Sequence, residues 1–118
     1  MIQYYHDFPE DYLVDSLNVV MGLKPASKED FLTFAGQKLG FPDWYGRNWD
    51  AFEECLSDLS WIRQRTIRLV FPVLPLSDMN ELKTFLDILR SAQVSLADFG
   101  IELQAIFSDK DREVLENL

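Results

Sequence analysis

Three short apolar segments punctuate this chain, and the helix-length stretches between them restrict its fold more than any other feature. LNVVMGL (17–23) reads as a strand bounded by Gly22 and Pro25. TIRLVFPVL (66–74) is β-branched and apolar, with Pro72 near its end, where a missing N–H costs no ladder bond. IELQAIF (101–107) alternates Ile101, Leu103, Ala105 and Phe107 with Glu102 and Gln104, the period of a strand. Two helical patterns separate the first pair. Ser27 is placed as an N-cap, with Asp30 three residues on. Phe31, Phe34, Ala35 and Leu39 then recur at helical spacing, and Gly40 is placed to end that helix. A second helix is expected from about Asn48. Before the last strand, Leu82, Phe85, Leu86, Leu89, Ala92 and Leu96 mark a long helix that begins at Ser77 and closes at Gly100. Strands separated by helices pair in parallel through crossovers. The expected fold class is therefore α/β: a two-layer domain whose small three-stranded parallel sheet is packed with three to four helices.

A chain of 118 residues suits one compact domain. Residues 1–16 read as an irregular acidic and aromatic extension that packs back through Tyr4, Tyr5, Phe8 and Tyr12. Residues 17–108 form the domain, and 109–118 a charged tail that frays or makes a short terminal helix. Twenty acids against 11 bases give a net charge of −9. Such a field repels nucleic-acid phosphates and attracts cationic proteins, so no direct nucleic-acid partner is expected. The same acidity also serves solubility. With Cys55 as the sole cysteine, neither an internal disulfide nor a zinc cluster is expected. The first residues lack the basic start and apolar run of a secretion signal, and no stretch nears the roughly 20 apolar residues of a membrane span. The expectation is a soluble cytoplasmic protein without a membrane association, monomeric by default.

GFPDWYGRNWDAFEECLSDL (40–59) gathers five carboxylates and the lone cysteine around a single cation, Arg47. On a wheel turning about 100° per residue, Trp49, Phe52, Leu56 and Leu59 share one side, and Asp50, Glu53, Glu54 and Ser57 lie almost opposite. Asn48 suits an N-cap, and Asp50 in the first turn is favoured by the helix dipole. Glu54 has no such support, and its charge repels Asp50 at i and i+4. The ridge is read either as a solvated polar face or, if one or both of Trp44 and Tyr45 stand exposed beside it, as a protein-binding hot spot. Both rings filling the core is the competing reading. Catalytic use has little support. The acids do not face one another across a cleft, and the only histidine, His6, sits in the extension. A magnesium site from Asp50, Glu53 and Glu54 lacks ligand spacing and a phosphate loop. No catalytic residue, metal or cofactor is assigned. Cys55 lies at the margin of the apolar side and reads as a small buried hydrophobe. Arg63, Arg65 and Arg68 of WIRQRTIR form the one basic cluster, which either balances acids locally or makes a weak anion site.

The run LGFPDWYGRNWDAFEECLSDL resembles the signature of the barstar family, small intracellular inhibitors of barnase-like microbial ribonucleases. Pro42, Tyr45, Gly46, Asn48, Asp50, Ala51, Cys55 and Leu56 match without a gap, and the likeness extends from about Leu17 to Phe107. The resemblance implies a parallel sheet packed with helices and a partner that is a basic, extracellular-type ribonuclease. It also implies that the loop and second helix plug the enzyme's cationic site, acids standing in for RNA phosphate. Asp50 falls on one inhibitory position, and Glu54 falls on the dominant inhibitory aspartate, one methylene longer. Trp44 falls on the aromatic loop position and Ser57 on a small hydroxylated contact. The expected partner-binding set is Trp44, Tyr45, Asp50, Glu53, Glu54 and Ser57. A contact tryptophan of the family is replaced by Glu53, and a contact glutamate of the long helix by Ser95. Those replacements motivate an alternative, an interaction module of the same fold with a non-ribonuclease partner.

Overall fold

The computed structural model describes residues 2–5 and 16–118. In chain order the strands are β1 (Ile2–Tyr5), β2 (Ser16–Val20), β3 (Thr66–Phe71) and β4 (Glu102–Ser108). The helices are α1 (Lys28–Leu39), α2 (Trp49–Leu56), α3 (Met79–Ala97) and α4 (Arg112–Glu116), the last preceded by a 3-10 turn at Asp109–Asp111. All strand pairs are parallel, in the order β1-β4-β3-β2. The sheet thus has four strands where the sequence suggested three. The extra strand lies in the segment read as irregular: Ile2 pairs with Ala105 and Tyr4 with Phe107. Four residues are too few to show a strand period, and only the open edge of β4 makes them one. The expectations for Phe8 and Tyr12, like His6, lie outside the described residues.

Helix signals fall where local chemistry puts them. Ser27 caps α1 by accepting from the Asp30 N–H, and Gly40 ends it in the left-handed region at φ 67°. Asn48 caps α2 through a 2.8 Å bond from the Ala51 N–H. The cap of α3 is Asp78 rather than Ser77: its carboxylate accepts from both Asn80 and Glu81 N–H groups, as an ion does better than a hydroxyl. Ser77 instead donates to the Ala26 carbonyl.

Ile67, Leu69 and Phe71 of β3 pair with Leu103, Ala105 and Phe107 of β4, placing six buried side chains on one sheet face. Phe71 and Phe107 stack at 4.4 Å, and Phe85 of α3 meets Phe71 edge-on. Phe31 and Phe52 continue this aromatic seam into α1 and α2. The tail is not frayed. Leu115 is buried in the core, and Arg112 lies over the Tyr4 ring at 4.2 Å. No helix among the described residues is long and apolar enough to cross a membrane.

Candidate protein-binding surface on the second helix

The loop before α2 is anchored from beneath. Tyr45 donates its backbone N–H to the Pro42 carbonyl and its hydroxyl to the Leu32 carbonyl of α1, at 2.9 and 3.0 Å. Its ring sits edge-on to Phe41 at 4.8 Å, and Phe41 leads on to Phe52 and Trp61. Gly36 makes this approach possible, since a Cβ there would come within 2.7 Å of the Tyr45 ring. Burial, with a smaller contribution from Cys55, pushes the Tyr45 phenol up to about 12, against the opposing pull of Arg47. Tyr45 is therefore half-buried and its hydroxyl committed, whereas Trp44 beside it is 59% exposed. The two adjacent rings, left open between surface and core in the sequence, take different jobs, one holding the loop and one standing clear of it.

After the loop, Arg47 adopts φ 53° and Asn48 starts the helix. Phe52, Cys55 and Leu56 are buried, and Trp49 is half-buried. The apolar side thus follows the wheel, except that Leu59 lies beyond the helix end, reversing the chain at φ 49° with its side chain buried. Trp49 donates its Nε1–H to Glu81 Oε2 of α3 at 2.6 Å. That tie spans 32 residues, so no local sequence pattern could announce it. Cys55 is fully buried, and its thiol is pushed up by burial first and then by Glu54 and Asp58. It is no activated nucleophile.

The opposite face carries the acids. Asp50 and Glu54 are exposed, while Glu53 and the C-cap residue Ser57 are half-buried. No ion pair or side-chain hydrogen bond engages Asp50, Glu53 or Glu54 among the described residues. Nor do any three His, Cys, Asp or Glu there converge as metal ligands. Three unpartnered carboxylates beside an exposed tryptophan can exchange water for external cations without breaking an internal contact.

A family model described as Barstar (barnase inhibitor) matches residues 17–108. No curated protein and no solved structure gives a significant match. The chain belongs to the Barstar family, a family of inhibitors rather than enzymes whose binding target is a barnase-like ribonuclease.

Proposed function

From that membership we propose that this chain inhibits a ribonuclease by pressing the outer face of α2 into the enzyme's cationic active site. Asp50, Glu53 and Glu54 pair there with arginine, lysine and histidine side chains that otherwise hold RNA phosphate. Trp44 packs at the rim, Ser57 extends the contact, and Tyr45 sets the loop's height from below. The observation that carries this reading is the set of three carboxylates with no partner of their own among the described residues. A net charge of −9 accelerates the encounter with a cationic enzyme, and added salt slows it.

The test is titration calorimetry against a panel of basic microbial ribonucleases. Glu54→Ala is expected to weaken binding more than about tenfold, or about 1.4 kcal/mol. Undiminished affinity would remove Glu54 from the centre of the interface. A second reading, a non-ribonuclease partner, is favoured by Glu53 and Ser95 at the positions of expected contacts, both half-buried. It prevails if the unaltered chain leaves every ribonuclease in the panel active.

A further inference from the structure

The three arginines of WIRQRTIR do not share one environment. Arg68 is spent inside the sheet, its Nε donating to Gln104 Oε1 at 2.8 Å between paired positions of β3 and β4. Arg63 and Arg65 instead line an open cleft of about 530 Å³ with Ser57, Asp58, Ser60 and Phe99. The cleft lies at the C-terminal end of α2, where the entry to β3 meets the turn between α3 and β4. Its size is within the range of small-molecule sites, about 300–1,000 Å³.

Phe99 is 71% exposed, yet its backbone is held at both ends. Its N–H donates to the Leu96 carbonyl at 3.0 Å, and its carbonyl accepts from Arg65 Nη1 at 3.4 Å. The ring is therefore presented to solvent on fixed backbone. The same bond orients the Arg65 guanidinium and leaves most of its N–H donors unused. Arg63 has no hydrogen bond or ion pair among the described residues.

We propose that this cleft binds a nucleoside monophosphate. Two guanidinium groups are suited to the phosphate, since each offers paired N–H donors to its oxygens. The exposed ring of Phe99 offers a stacking surface for the base. Asp58 accepts from the N–H edge of a base such as guanine, and Ser57 and Ser60 bond ribose hydroxyls. In a chain this acidic, two arginines without a carboxylate partner among the described residues and an aromatic ring in one recess form a local exception, matched to a ligand that is both anionic and flat. The site is separate from the acids of the proposed inhibitory face and shares only its margin at Ser57.

The test is a titration of ¹⁵N-labelled full chain with guanosine 5′-monophosphate at constant ionic strength, followed by amide chemical shifts. Saturating shifts are expected at residues 57–65 and 99–101. Inorganic phosphate alone and guanosine alone should each bind about tenfold more weakly, because each leaves half the contacts unmade. Phe99→Ala and Arg65→Ala should each weaken binding at least about fivefold, a modest share of a stacking or charged contact. Both side chains are exposed, so the variants keep the fold, as unchanged spectra elsewhere would show. Glu54→Ala should bind the nucleotide as the parent does, which separates this site from the inhibitory ridge. No saturating shift up to about 10 mM, an affinity too weak for a built site, would overturn the proposal. So would equal binding of phosphate and nucleotide unaffected by Phe99→Ala, which marks an adventitious ion only.

Discussion

Along α2, Phe52, Cys55 and Leu56 are fully buried, while Asp50 and Glu54, on the same turns, stand in water. The inner side is tied to everything around it: Phe52 lies within 6.0 Å, ring to ring, of Phe31, Phe41, Trp49 and Phe85. The outer side is tied to nothing among the described residues. An eight-residue helix is too short to be stable by itself. It persists because its underside is packed, capped and tethered to α3, and this leaves its outer charges at liberty. Packing is thus confined to one face of two helical turns, and the proposed recognition falls to the other.

Substitutions that should affect only one face can break that division. The largest expected effect is from Phe52→Ala, which removes a buried ring from the aromatic seam and should cost about 3–5 kcal/mol in denaturant unfolding. A loss under about 1 kcal/mol would mean the seam is not what holds α2. Asn48→Ala removes the cap bond to Ala51 and should cost about 1 kcal/mol, with a matching loss of affinity as the first turn frays.

Tyr45→Phe deletes the hydroxyl bond to Leu32 and should cost about 1 kcal/mol or slightly less, read by thermal unfolding. The same position carries a pH signature. Because the folded phenol titrates near 12 against an ordinary 10.0, the unfolded chain ionises first, so stability is intact below pH 10 and falls as pH rises toward 12. The Phe variant should lose that part of the alkaline slope. The smallest effect, and the sharpest contrast, is Glu54→Gln. Relieving repulsion with Asp50 should raise stability by a few tenths of a kcal/mol, while affinity for the target enzyme falls. A variant that lost both would show that the ridge also supports the fold.

Much of this arrangement was legible in the residues. Ser27, Gly40 and Asn48 act as local signals, and each sits within one turn of the group it satisfies. The wheel of α2 was legible for the same reason, since its two faces differ in every residue. Features that depend on distant pairing were not. The strand at Ile2–Tyr5 exists only against β4, and the tie from Trp49 to Glu81 joins two helices with no shared pattern. Trp44 and Tyr45 are adjacent and chemically alike, so their separation into an exposed and a half-buried ring comes from Gly36, an absence on another helix. Likewise, Arg63 and Arg65 part from Arg68 because a strand begins between them.

The pairing of β1 with β4 also sets an order of events. β4 lies between β1 and β3, so the strand synthesised last must enter the middle of the sheet. Until it does, β1 has no neighbour, and the β2–β3 pair presents the open edge of β3. Every ladder joins strands distant in the chain, a topology that slows folding because loop closure is paid for before contacts form. This interior strand therefore completes the sheet, and its one aromatic residue, Phe107, stacks on Phe71 of β3. A nascent chain halted before Glu102 would hold the acidic helix and its loop complete in sequence, with no finished sheet to brace them. The bracing of the acidic helix consequently waits on the segment of the domain that is made last.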